Sequence, residues 1–165
     1  MLRTLFGLTS LVLLLVFIGY AATGAPGDPG PSDLSLTASP VRAENGTWRL
    51  QFDLQYTGEK PIVVSERSLP WKSPRDLLLV ATPLNSARTR LGEFDSPAPA
   101  PPQTFLTLNP GDTLAGSVNI SARFPGLTAA IQEGDVIVFW SQQIRSMENS
   151  ALPRLNGGVV ITRQN

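Results

Sequence analysis

Cysteine and histidine are both missing from this 165-residue chain. Without cysteine no disulfide cross-links the fold, and thiol and redox chemistry are closed to it. Without an imidazole the chain lacks the usual general base at neutral pH. The Ser-His and Cys-His nucleophile systems and the common Zn and Cu ligand sets go with it. An excess of charge is lacking too. Lys and Arg together number 13, as do Asp and Glu, and no basic cluster of the kind that holds nucleic acid is present. Neither a phosphate-cradling glycine loop nor a dense acidic Ca²⁺ loop occurs. What the chain has in quantity is proline and glycine, 15 and 14 residues, which cut it into short segments.

One long apolar run stands apart. After Arg3, "LFGLTSLVLLLVFIGYAA" (Leu5 to Ala22) carries no charge. Ala22 and Gly24 then satisfy the small-x-small pattern for cleavage before Ala25. The run is long for a cleaved signal, whose apolar part is roughly 7–15 residues. It is at the short end for a bilayer span, where ~20 residues are usual. Residues 1–25 are therefore expected to be a signal peptide, or else an N-terminal membrane anchor through residues 5–22. Either outcome places the remainder outside the cytoplasm: periplasmic, in the cell envelope or secreted. Residues 26–33 ("PGDPGPSD") form a Pro/Gly-rich linker with nothing to bury. Residues 34–165 are the expected domain, long enough to bury an adequate core without staples.

That domain reads as strands. "TWRLQFDLQY" (Thr47 to Tyr56) alternates strictly, with Trp48, Leu50, Phe52, Leu54 and Tyr56 on one face and Arg49, Gln51, Asp53 and Gln55 on the other. This is the pattern of an antiparallel sheet with one face buried. Asn45-Gly46 before it is a hairpin signal, because both residues accept positive φ. It folds the 34–43 segment back on this strand, and Pro40 is expected to break that first strand near its middle. Further strands are expected at Pro61 to Glu66, Asp76 to Thr82, Thr104 to Leu108, Thr113 to Ser121, Asp135 to Ile144 and Gly157 to Arg163. The turn Asn109-Pro110-Gly111-Asp112 sits between two of them. Only "LTAAIQEG" (Leu127 to Gly134) has a helical turn in it. Seven to eight short strands without a long helical period predict an all-β fold, an antiparallel β-sandwich.

Two of these turns carry a resemblance. "FDLQYTGEKPIVV", followed later by "LTLNPGDTLAGSV", resembles a group of small immunoglobulin-like domains. In these, one strand ends at an "N/Y-T-G-x-x-P" turn and a later strand is entered through "Pro-Gly-Glu/Asp". The bacterial intracellular proteinase inhibitor family belongs to that group, and the prodomain-like portion of peptidyl-lysine metalloendopeptidases is similar. The resemblance implies an immunoglobulin-like sandwich and offers proteinase inhibition as one activity. The export leader departs from the inhibitor family.

Candidate catalytic groups dissolve on inspection. Lys60 and Lys72 fall in expected loops with no patterned serine. The pairs Glu93/Asp95 and Glu133/Asp135 would need a cleft and a fixed separation to act on a glycoside. The sequons at Asn45 and Asn119 fit N-glycosylation, but Asn45 already serves the hairpin. The expectation is a protein that is not an enzyme and needs no cofactor or metal. Its function would be a non-catalytic exported binding or accessory domain, working through a protein partner, without nucleic acid, and touching a membrane only through an uncleaved N-terminus. The alternative is a proteinase inhibitor presenting either the loop from Glu66 to Asp76 or the Pro-rich 96–102 loop. That second loop is stiff, since consecutive prolines fix the backbone. In the first loop, Arg67, Trp71, Lys72 and Arg75 are the candidate binding residues, an interface-like composition. Trp71 has two readings: a plug over the end of the core with the basic residues outward, or an exposed anchor for the partner.

Overall fold

The computed structural model of the chain describes residues 33–73, 76–84, 89–94, 102–147 and 151–163. The expected leader, nearly all of the linker, most of the Pro-rich 96–102 loop, and Arg75 lie outside the described residues.

Alternation builds the first sheet. Strand β2 (Trp48–Tyr56) buries Trp48, Leu50, Phe52, Leu54 and Tyr56 and turns Arg49, Asp53 and Gln55 to solvent. Each such large apolar side chain contributes about 1.5–3 kcal/mol when fully buried. Strand β1 (Leu34–Arg42) pairs with it antiparallel through the 43–47 turn. There Gly46 takes φ 80° and its N–H donates to the Ala43 carbonyl at 2.8 Å. Asn45 Oδ1 accepts from the Thr47 N–H at 3.1 Å. Pro40 does not break β1 as expected: the strand runs through it, opposite Leu50. The reason is position. β1 is an edge strand, and a proline, which has no N–H to give, is harmless where no outer neighbour needs one.

Strand β6 (Thr113–Asn119) completes the first sheet in the order β1-β2-β6. The second sheet pairs β3 (Ile62–Ser65) with β5 (Phe105–Leu108). The third, in the order β4-β7-β8, joins β4 (Leu78–Pro83), β7 (Val136–Arg145) and β8 (Ala151–Ile161). All pairings are antiparallel, and the fold is all-β. Strand β8 begins at Ala151, six residues before the expected start at Gly157. It too is an edge strand and carries Pro153 on the same terms.

The 109–112 turn enters β6 as expected, with Gly111 at φ 89° and the Asp112 N–H on the Asn109 carbonyl at 3.0 Å. Helix α2 (Leu127–Glu133) forms where a helical turn was expected, but α1 (Ile120–Arg123) precedes it unannounced. Asn119 ends β6 and caps α1, its Oδ1 accepting from the Ala122 N–H at 3.0 Å. This satisfies one of the orphan donors of a helix start. Among the described residues no helix is long and apolar enough to cross a membrane.

The buried faces of the first and third sheets meet. Phe52 of β2 stands edge-on to Trp140 of β7, centroids 5.6 Å apart and planes at 86°, a geometry aromatic quadrupoles favour. Trp140 in turn lies over its cross-strand partner Gly157, where a Cβ would come within 2.4 Å of the indole.

One strand line is broken in two. Strand β4 runs along β7 from Val136 to Ser141, and further on Val64 of β3 bridges Ser146 just beyond the end of β7. The Met147 N–H donates to the Val63 carbonyl at 2.9 Å. β3 and β4 thus follow one another along the same flank of β7. Between them the chain leaves the sheet for residues 66–77 and returns.

Candidate functional site

That excursion is tied down at both ends. Leu69 and Leu77 sit in the core, 2% and 0% exposed. It opens with a single 3-10 turn, Glu66–Ser68. The Glu66 N–H donates to the Thr104 carbonyl at 2.9 Å, and successive tight turns carry the chain on, among them Asp76 N–H to Ser73 carbonyl at 3.0 Å. The opening turn is pinned to β7 by buried hydrogen bonds. Ser68 Oγ donates to the Ser65 carbonyl at 2.6 Å and accepts from the Arg145 N–H at 3.1 Å. Gln142, wholly buried, donates through Nε2 to the Ser68 carbonyl at 2.7 Å. Buried polar groups of this kind hold a unique arrangement when paired, because losing a partner is costly.

Beside this frame lies a cleft of about 420 Å³, lined by Ser65, Arg67, Ser68, Asp76, Gln103, Arg145, Ser146 and Met147. Both ends of the excursion, the approach to β5 and the end of β7 therefore contribute to it. Among the described residues, the guanidiniums of Arg67 and Arg145 and the carboxylate of Asp76 make no ion pair. The Ser65 hydroxyl is also without a hydrogen-bond partner among them, although the residue is only 6% exposed. The cleft thus holds four unused polar groups on a rigid mount.

The structure separates the binding residues expected from the sequence. Arg67 lines the cleft. Trp71 is packed, half-buried, against the core, over Gly116 of β6. A Cβ on Gly116 would fall 2.2 Å from the indole Cγ and Cδ2, so the ring occupies the space a side chain there would need. Gly116 pairs with Phe52, whose side chain is inward, and the indole therefore lies on the core side of the first sheet. Lys72 points to solvent and reaches Glu66 at 3.5 Å, an exposed pair contributing about 0–1 kcal/mol.

Sequence reasoning missed Arg145, Ser146, Gln103 and Met147. The bridge between Val64 and Ser146 brings Arg145, Ser146 and Met147 to the cleft, and the pairing of β3 with β5 brings Gln103, long-range pairings that no local pattern encodes. The carboxylates considered as catalytic pairs have other work. Glu93 receives Arg123 and, at 3.9 Å, Arg90, while Asp135 Oδ1 accepts the Arg163 N–H at 2.9 Å. Asp95 lies outside the described residues. A shallower hollow of about 340 Å³ between α2 and residues 89–92 is lined mainly by Pro, Gly, Ala and Leu, with Arg90 and Glu133 at its margin.

No protein-family model matches the chain, and no curated protein matches it either.

Proposed function

We propose that the chain is an exported, non-catalytic binding or accessory domain with an immunoglobulin-like β-sandwich, acting through a protein partner. The observation that carries the binding role is the cleft beside the excursion: two unpaired guanidiniums, an unpaired carboxylate and an unpaired hydroxyl on a hydrogen-bonded frame. Charged groups left unused at a rigid site are what a partner can engage at little cost in ordering. The immunoglobulin-like reading is supported by strand order. One sheet runs β1-β2-β6, and β7 lies between β8 and the β3/β4 line in the other layer. That is how strands A-B-E and C-F-G are laid in the immunoglobulin fold, with β5 added beside β3.

The experiment is site-specific photo-crosslinking in the producing cell. A crosslinking residue replaces the exposed Gln103 at the cleft, and another replaces the exposed Thr37 on β1 as the control. A partner captured from position 103 alone, and lost when Arg67→Glu and Arg145→Glu are introduced, supports the reading. Equal capture from both positions, or capture indifferent to the arginines, refutes it. The second reading, a proteinase inhibitor presenting the 66–76 loop, is favoured by the tethering of that loop at Leu69 and Leu77, since inhibitory loops act by being held rigid. Dose-dependent inhibition of a serine or metalloproteinase that Lys72→Ala or Arg67→Ala abolishes selects it.

A further inference from the structure

We infer that the cleft takes a peptide segment bearing a single carboxylate, an Asp or Glu side chain of the partner. The inference rests on the binding reading above and adds the chemistry of what is bound. Three observations lead to it.

The first is charge. Arg67 and Arg145 supply two positive groups and Asp76 one negative group to the same cleft. Counted over the described residues, the site is one charge positive, and one carboxylate neutralises that charge. A phosphate dianion would overshoot, and Asp76 would repel it.

The second is the donor and acceptor set. Guanidinium forks match the two oxygens of a carboxylate, and such charge-assisted bonds are among the strongest available to side chains. Asp76 accepts only, which suits a backbone N–H next to the bound acid. A ligand offering both an acid and an amide N–H is a peptide rather than a free anion.

The third is the Ser65 hydroxyl. This residue is more than nine-tenths buried, lines the cleft, and its Oγ has no partner among the described residues. The one sealed side-chain atom without a partner among them is Gln142 Oε1, so the hydroxyl is open to the cleft and can donate to an incoming oxygen. A volume of about 420 Å³ is at the lower end of the roughly 300–1,000 Å³ range of ligand sites. Among the described residues the lining, however, is polar except for Met147, which suits one charged side chain with an apolar neighbour against the thioether.

The test titrates the purified protein, followed by amide chemical shifts, with a short Glu-containing peptide, its Gln counterpart, sodium acetate and inorganic phosphate. The expected result is saturable shifts at residues 65–68, 76 and 145–147 with the Glu peptide, at least tenfold weaker binding of the Gln peptide, and loss of binding in Arg67→Gln/Arg145→Gln. Asp76→Asn is expected to bring phosphate affinity up. Equal binding of the two peptides, shifts elsewhere on the surface, or phosphate binding as tight as the Glu peptide in the unmodified protein would each overturn the inference. The two levels separate cleanly. A crosslinked partner that ignores the Glu-to-Gln change refutes the ligand and leaves the interaction. Acid-specific peptide binding without a crosslinked partner refutes the interaction and leaves the ligand.

Discussion

Adding one methyl group at Gly116 should have opposite effects in two backgrounds. In the unmodified protein the new Cβ would stand 2.2 Å from Cγ and Cδ2 of Trp71, whereas carbon atoms rest at ~3.5–4.0 Å. The indole must move by more than an ångström or lift off the sheet, and overpacking of that size costs about 1–3 kcal/mol. Truncating Trp71 to alanine removes a half-buried indole packed on the core, and the loss should fall near the lower end of the ~3–5 kcal/mol seen for large aromatics. With the indole gone, the methyl group at position 116 is freed of the three atoms nearest to it. Gly116 is inside β6 and its φ is not positive, so alanine there should now stabilise, by about 0.5–1 kcal/mol through the reduced freedom of the unfolded chain. The coupling between the two substitutions is then about 1.5–4 kcal/mol, well outside the few tenths expected of independent sites. Guanidinium unfolding followed by far-UV circular dichroism, with the four proteins compared at matched m values, measures it. If Gly116→Ala costs the same with and without Trp71, the indole is not where the structure puts it, and Trp71 regains its place as a partner contact. Trp71→Phe supplies a milder second background should the alanine variant fail to fold.

Other consequences are simpler to read. Ser68→Ala strips the part-buried Arg145 N–H of its acceptor and should lower stability by about 1 kcal/mol, visible as a shifted denaturation midpoint. Glu93→Gln should cost about 1 kcal/mol through the loss of its pairing with Arg123. It should also speed hydrogen exchange at the Phe94 amide, which donates to the Arg123 carbonyl at 2.7 Å. Phe139 is half exposed on the outer face of β7, so Phe139→Thr should stay within about 0.5 kcal/mol of the unmodified protein while its neighbour Trp140 tolerates no such change. N-terminal sequencing of the mature protein should begin near Ala25, and Met1 recovered in the membrane fraction would establish the anchored form instead.

Local pattern revealed the strands and missed how they combine. The alternation from Trp48 to Tyr56 marks β2 and its buried face residue by residue, because a period of two is written directly in the order of side chains. The Asn45-Gly46 turn likewise marks the hairpin. Proline misled at Pro40, because its penalty depends on whether an outer neighbour is waiting for an N–H, and edge position is a tertiary fact. Helix α1 had one readable signal, Asn119 as a cap, but the residue also ends a strand and its sequon drew attention elsewhere. For the cleft, Arg67, Ser68 and Asp76 fell within the loop flagged by composition. Arg145 ends a strand whose bridge to β3 crosses well over half of the described domain, and an isolated bridge of that range leaves no trace in either segment.

The interruption between β3 and β4 has a consequence for how the molecule can change. Each half of the broken strand is registered on β7 by its own pairings, Val64 with Ser146 on one side and the run from Leu78 to Pro83 on the other. The 66–77 segment transmits no register from one to the other. Residues can therefore be inserted, deleted or exchanged between Leu69 and Leu77 without sliding a single strand, provided that Ser68, the two leucines, Trp71 and Ser73 keep their seats. The sheets and the displayed loop are separable inheritances. Variation on the loop is limited by the loop's own contacts, while β7 and its neighbours are held by their ladder pairings and by packing, and a designer would graft into this gap first.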